Sequence, residues 1–303
     1  MVTKKKITKH VVGPVLDLIA QWQMKMVQEL SLFTAPEVHG IIFSNDGARG
    51  RKSLFDASKN KTGDIFAYWE DIKKGTICIT AKEAGYEVKA PKNMDYFFAK
   101  CIYYPTKSYG EYDFGEHINF LDVTHLNVDN STSFRYCFKH FAKGCMRKGS
   151  ICGLETWDMS KATDLSGMFK WAFDAAETVN FDLSNWRFSE KLLIDVSEMF
   201  DGFAQTAEVV KLNLKWWNTS GFYNYYRMFQ YFANKSEEVH LYGIEDWCIK
   251  KDNVFDYMFL DFAPWSQCHL DLSKWSEDGA LTGTHFQFAT NTFFKIKEPA
   301  WAD

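Results

Sequence analysis

The sequence predicts an α/β solenoid of about six to seven repeats of roughly 30 residues, preceded by an N-terminal helix and a small β-rich domain. The first observation is a recurring Met-Phe pair. The intervals between Phe169, Phe200, Phe229, Phe259 and Phe288 are 31, 29, 30 and 29 residues. The second observation is a Trp that precedes each pair. A period near 30 residues is typical of folds in which each unit buries its apolar face against the next copy. The repeat markers are Trp157, Trp186, Trp217, Trp247 and Trp275, with the pairs Met168-Phe169, Met199-Phe200, Met228-Phe229, Met258-Phe259 and, in the last copy, Gln287-Phe288.

Each repeat is predicted to contain a strand and a short helix. Apolar residues alternate with polar ones before each Trp, as in Phe181-Asp182-Leu183, and this period of two predicts a strand with one buried face. Polar residues follow the Trp, and then Met-Phe is followed by another aromatic three or four positions on. That spacing predicts a short helix, capped by the preceding Ser, Thr and Asp side chains.

The clearest copies carry a motif of a known family. Residues 157–169 read WDMSKATDLSGMF, residues 181–186 read FDLSNW and residues 195–202 read DVSEMFDG. Over residues 118–290 the chain resembles the BspA-like leucine-rich-repeat surface proteins of mycoplasma, gut bacteria and phages. The resemblance implies a leucine-rich-repeat-like solenoid that serves adhesion or protein contact without catalysis. Residues 93–117 are interpreted as a divergent first repeat.

Three ranges follow: a basic arm and amphipathic helix at 1–35, a small β-rich domain at 36–92, and the repeats with divergent ends at 93–303. The apolar stripe of the helix is interpreted either as packing on its own chain or as an assembly surface that docks into a partner or oligomer. The loop at 44–61 carries Arg49 and Arg51, and it is either a plain surface loop or an anion or partner contact. The residues of the candidate assembly helix are Val15, Ile19, Trp22, Met26 and Phe33.

The composition and net charge limit which classes of function are expected. Among 303 residues, 46% are hydrophobic and 17% aromatic, which is enough for a large core. A formal net charge of −4 gives no overall attraction to nucleic acid, so no nucleic-acid partner is expected. Membrane insertion is not expected, because no apolar run is long enough to span a bilayer. Pro14 and Asp17 interrupt the apolar stretch near the start, so we expect synthesis in the cytoplasm without a signal peptide.

The sequence contains no recognisable catalytic residue, cofactor-binding residue or set of metal ligands. The motifs of zinc proteases, hydrolases, dinucleotide sites and calcium loops are missing. His240 and His269 occupy equivalent positions of successive copies; we call such positions slots. The same slot holds Asn180 and Lys211 in two other copies. Surface histidines are therefore favoured over a metal site. We expect no enzyme activity and no cofactor.

Several aromatic residues lie outside the repeat positions that are predicted to be buried. They indicate a partner surface, because Trp and Tyr are enriched at protein interfaces. Together with the resemblance, they predict a phage virion or attachment component. Its N-terminal part would anchor the chain in an assembly, and its repeats would bind other virion proteins, a host surface receptor or further copies of the chain. The alternatives are a bacterial cell-surface adhesin and an enzyme with a site in the N-terminal domain. The candidate partner surface is Trp171, Trp216, Tyr223, Tyr225, Tyr226, Tyr231 and Trp265.

Overall fold

The computed structural model describes residues 11–30, 38–99, 101–102, 112–113, 118–142, 149–174, 176–276, 282–293 and 296–302. Within these ranges the chain is 7% helical and 25% strand, with one α-helix, α1 Val15–Leu30. Short 3-10 turns occupy Leu154–Thr156 and Ser273–Ser276. The strands are β1 Gly40–Ser44, β2 Phe55–Asp56, β3 Ile65–Asp71, β4 Thr76–Ala81, β5 Val88–Lys89, β6 Cys101–Ile102, β7 Tyr112–Asp113, β8 Phe120–Asp122, β9 Leu126–Asn127, β10 Ser150–Cys152, β11 Thr178–Asp182, β12 Ile194–Asp195, β13 Val209–Asn213, β14 Phe222–Asn224, β15 Glu238–Tyr242, β16 Leu270–Asp271 and β17 Ile296–Lys297.

The largest sheet is six-stranded and mixed, in the order β10-β8-β1-β4-β3-β2. β1 is parallel to both β4 and β8, so that Ile41 lies opposite Ile77 on one side and Leu121 on the other. β3 is antiparallel to β4 and to β2. The alternation of β1 buries Ile41 and Phe43 completely, as the pleat requires. Through the β1–β8 pairing, this sheet joins residues on both sides of position 92.

The helix α1 packs into the same core as the sheet. Val15 and Ile19 are buried, and the Trp22 ring lies 6.3 Å from Phe55 and 5.7 Å from Trp69, centroid to centroid. These members of the candidate assembly helix are therefore used inside the chain and offer no free docking face. The Met26 side chain and Phe33 lie outside the described residues.

The strands of the repeats pair in parallel, copy to copy. β11, β13 and β15 form a three-stranded sheet in which Phe181, Leu212 and Leu241 share one register position. β16 pairs with β17, and β12 pairs with β14. The parallel pairing gives equivalent residues the same environment, which explains their common burial.

The segment after each marker Trp is a run of tight turns, which we call a turn ribbon. Two equivalent ribbons precede the first marker Trp. The ribbons cover residues 93–99, 133–142, 164–173, 195–204, 224–233, 254–263 and 284–293. Its backbone N–H groups alternate between two kinds of acceptor. Met199 N–H donates to Val196 O within the ribbon at 3.2 Å, whereas Phe200 N–H donates to Met228 O of the next copy at 2.9 Å. Positive φ angles recur in the same slots, as at Glu198, Gly202 and Ala204. A right-handed helix tolerates neither the positive φ angles nor the hydrogen bonds between copies.

The predicted α/β leucine-rich-repeat-like solenoid, preceded by an N-terminal helix and a small β-rich domain, is therefore wrong. The predicted short helices of the repeats are turn ribbons, and α1 belongs to the common core. The strands form several small sheets, the largest of them mixed, and not one continuous parallel sheet. The fold that replaces the prediction is mostly β and turn, with one helix among the described residues.

Aromatic rings stack in register through the centre of the ribbons. The ring of Phe200 lies 5.4 Å from Phe169 and 5.6 Å from Phe229, nearly parallel to both. The Trp rings form a second row, with Trp217 5.8 Å from Trp186 and 6.1 Å from Trp247. The predicted burial of these repeat-locked aromatics is confirmed.

The last copy is shifted by one residue relative to the predicted alignment. Tyr257 N–H donates to Phe286 O, and positive φ angles fall at Gln287 and Asn291. Phe288 therefore occupies the slot of Met258, and the predicted equivalence of Gln287-Phe288 with Met-Phe is wrong. The shift explains why Phe288 meets Phe259 edge-on, at 84°.

Candidate interaction surface

The structure divides the predicted aromatic patch among separate places. Trp171, Tyr226 and Tyr231 lie half-buried on the outer side of the turn ribbons. Tyr223 lies just before a ribbon, and its hydroxyl donates to the Asp195 carboxylate at 3.4 Å. These residues share one side of the molecule.

The remaining members of the patch lie elsewhere. Trp216 follows β13 and is 73% exposed, and Trp265 lies in the turn after a ribbon, 71% exposed and 6.1 Å from the Phe293 ring. Tyr225 is fully buried with its ring stacked on Phe255 at 4.9 Å, so its inclusion in a surface is wrong. It takes the core slot that Val196 and Phe255 occupy in neighbouring copies, and its polar hydroxyl disguises that slot in the sequence.

Aromatic and charged side chains alternate on the outer side of the ribbons. The Arg227 guanidinium lies 4.8 Å from the Tyr226 ring and 5.2 Å from the Tyr257 ring. The Tyr96 and Tyr136 rings are 5.1 Å apart. Such cation–π contacts hold the side chains in place while their edges stay accessible. We call this surface the ribbon face; it comprises Tyr96, Arg135, Tyr136, Lys139, Lys170, Trp171, Glu198, Tyr226, Arg227, Tyr231 and Tyr257.

Two glycines allow aromatic rings to lie flat across the ribbon face. A Cβ atom added to Gly167 would lie 2.1 Å from Cε1 of Tyr136, and one added to Gly202 would lie 2.7 Å from Cδ2 of Trp171. The rings thus reach over a whole copy. The Tyr136 hydroxyl donates to Glu198, 62 residues away, at 3.1 Å, and the Trp171 ring lies 6.3 Å from Tyr231.

A charged cluster fixes the centre of the ribbon face. Lys170 Nζ lies 2.8 Å from both the Glu198 and the Asp201 carboxylates. Burial opposes the charged form of Lys170, yet the hydrogen bonds to Asp201 and Glu198 outweigh burial and raise the Lys170 pKa. Burial raises the pKa of Asp201, and Lys170 counteracts that rise. Lys170 thus offsets part of the cost of burying the Asp201 carboxylate.

The opposite side, formed by the outward residues of the repeat strands, is a row of polar pairs. Lys211 Nζ lies 3.3 Å from Glu238, whose carboxylate is 2.9 Å from His240 Nε2. Asp271 accepts hydrogen bonds from Ser273 and Lys297, which lower its pKa to about 2. His240 is thus engaged with an acid of its own strand. Exposed pairs of this kind contribute little to stability.

Of the ribbon face, the sequence predicted only Trp171, Tyr226 and Tyr231 and missed the other members, including all the charged ones. Tyr136, Glu198, Arg227 and Tyr257 share one slot, directly before the Cys or Met of each copy. A comparison of this position across copies would have grouped these four residues. The predicted short helix, however, implied no contact between this position and its equivalents in neighbouring copies.

No family model matches the chain, and comparisons with curated proteins and with solved structures find no match either. Among the described residues, no group of three or more His, Cys, Asp or Glu side chains is arranged to hold a metal ion. Within the same ranges, no helix has the length and apolar character needed to cross a membrane.

Proposed function

We propose that the protein is a non-catalytic binding component whose ribbon face docks onto a protein partner. The ribbon face is the observation that carries this proposal. Tyr, Trp and Arg dominate the energetics of protein interfaces because they present large, rigid contact areas with polar edges. Here stacking, glycine gaps and the Lys170 cluster hold these side chains in place, which reduces the entropy lost on binding.

The biological setting we propose is a phage virion or attachment component. The support is the similarity of residues 157–169 and 181–202 to the BspA-like repeat, a family associated with adhesion and also present in phages. Cellular adhesion is the second candidate, because the same motif is typical of bacterial surface proteins.

Mass spectrometry of fractionated cultures tests the setting. Particles purified by density gradient and the cell-envelope fraction are digested and searched for peptides of this chain. Enrichment in particles supports the virion component, and enrichment in the envelope supports the adhesin. Confinement to the cytosolic fraction contradicts both candidates.

Paired variants test the role of the ribbon face. Trp171→Asn with Tyr231→Asn removes two rings at positive φ, where Asn is tolerated. Lys211→Gln with His240→Gln changes the strand side as the matched control. With the particle or envelope partner in hand, the ribbon variant is expected to lose at least roughly tenfold in affinity, whereas the control retains wild-type affinity. The reverse pattern would assign binding to the strand side and overturn the proposal.

A further inference from the structure

In alternate slots of each ribbon the backbone N–H groups donate toward the next copy, whereas the end of a ribbon donates back to the previous copy, as when Ala204 N–H donates to Ala172 O at 2.8 Å. Phe229 N–H donates to Met258 O at 2.9 Å, and Phe259 N–H donates to Phe288 O at 2.8 Å. The same slots donate toward the next copy in the earlier ribbons, as when Phe98 N–H donates to Cys137 O. In these alternate slots the row of ribbons is therefore polar: the last ribbon presents N–H groups, and the first presents carbonyl groups, for which the described residues supply no backbone partner.

The donor end is the last ribbon, 284–293. Among the described residues, no backbone carbonyl accepts a hydrogen bond from the N–H groups of its donor slots. Phe286 and Phe293 flank these groups and are each 61% exposed. A cavity of about 350 Å³ lies along this edge. The donor slots are His285, Gln287, Ala289 and Asn291.

The acceptor end is the first ribbon, 93–99. Its carbonyl slots are the equivalents of Ser133, Arg135 and Cys137, which accept bonds from the first ribbon itself. Within the described part of the chain, no backbone N–H donates to them. All of them line a cavity of about 500 Å³, whose other wall is the start of α1. The acceptor slots are Asn93, Asp95, Phe97 and Ala99.

We infer that the donor end of one molecule docks onto the acceptor end of a second copy, head to tail. The two edges offer complementary groups at every second residue, in the same slots that pair successive ribbons within the chain. Unpaired edges of this type associate by backbone hydrogen bonding, and the exposed Phe286 and Phe293 add apolar area to the contact. Because the two edges differ, the contact is heterologous and produces a ring or a filament.

This inference concerns the ends of the ribbon row and does not require partner binding at the ribbon face, of which Tyr96 is the one member changed below. The test measures the mass of the full chain in solution by light scattering over a range of concentrations. Phe286→Lys with Phe293→Lys places two charges on the donor edge. Tyr96→Asp places a charge at the acceptor cavity and retains a residue type that tolerates its φ of 56°. The matched control, Ile72→Lys with Leu193→Lys, changes side chains of similar exposure, 64% and 69%, away from both ends.

We expect the wild type and the control to associate as concentration rises, and each end variant to be monomeric. A mixture of the two end variants should form a dimer and nothing larger, because one intact donor end and one intact acceptor end remain. A wild type that stays monomeric, an end variant that still associates, or a mixture without dimer would each overturn the inference. Thermal unfolding shows that the variants are folded, and Phe286→Lys alone replaces the double variant if that one unfolds.

Discussion

The helix α1 and the turn ribbons carry the same spacing of apolar side chains and form different structures. In α1, Val15, Ile19 and Trp22 are separated by four and then three residues. Phe134, Phe138 and Phe141 of a ribbon have the same separations and are equally buried. The spacing therefore identifies a buried side but does not distinguish a helix from consecutive turns.

The two regions differ in where their backbone hydrogen bonds are made. A helix closes its hydrogen bonds within itself, whereas alternate N–H groups of a ribbon require the neighbouring copy. Each ribbon is shorter than the ~12–15 residues at which an isolated helix becomes stable in water. Non-glycine residues at positive φ cost about 1 kcal/mol each, and the stacked rings and copy-to-copy hydrogen bonds offset this cost. A ribbon is stable only beside another ribbon.

The largest loss of stability is expected for Lys170→Met, because ion pairs between copies stabilise the ribbon face. This variant tests whether the ribbons, unlike α1, depend on contacts with the neighbouring copy. Removal of the ammonium leaves the buried Asp201 without its partner and should cost about 3 kcal/mol of unfolding free energy. Gln21→Met, at an exposed position of α1, should change stability by less than about 0.5 kcal/mol. Urea denaturation at neutral pH measures both. Equal effects would show that the Lys170 cluster does not stabilise the ribbons.

The loss in Lys170→Met should also depend on pH. Burial already raises the folded-state pKa of Asp201, and loss of Lys170 raises it further. A carboxyl group with a raised folded pKa stabilises the fold while protonated, and this stabilisation is lost as the pH rises through the folded pKa. The variant should therefore approach wild-type stability as the pH is lowered from neutral and the Asp201 carboxyl group becomes protonated. A stability gap that widens on acidification would contradict the assignment.

An intermediate effect on the free energy of unfolding is expected for Gly167→Ala. The sign of this effect distinguishes a turn ribbon from a helix. In a helix the change would stabilise by up to about 1 kcal/mol. In the ribbon, Gly167 has a φ of 60°, and the added methyl group would meet the Tyr136 ring. We expect a loss of about 2 kcal/mol from strain and overpacking. The double variant with Tyr136→Ala measures the steric share, since it removes the ring but leaves the backbone strain. Stabilisation by Gly167→Ala alone would indicate a helical ribbon.

The sequence predicted the slots of the repeat better than it predicted their conformation. The positions of Phe169, Phe200 and Phe229 follow from interval and polarity, and all are buried as expected. The positive φ of Glu198 and Arg227 could not be predicted, because neither residue type favours that conformation and the cause lies in the neighbouring copy. The ribbon face was found only in part for the same reason: its members meet across copies and not along the chain.

The smallest effect concerns a pair of exposed glutamines, one in each structure. Gln287 adopts a φ of 48°, so Gln287→Gly relieves an unfavourable backbone conformation and should raise stability by about 0.5 kcal/mol, after the greater entropy of glycine in the unfolded chain is allowed for. Gln21 lies inside α1 and is also exposed. Gln21→Gly should therefore lower stability by about 1 kcal/mol, the usual cost of glycine in a helix. Both substitutions remove the same side chain, so only the backbone environment differs. If the midpoints of urea unfolding move in opposite directions, the backbone conformation at Gln287 differs from that of the helix at Gln21. If both midpoints decrease, position 287, like position 21, favours the negative φ of a right-handed helix.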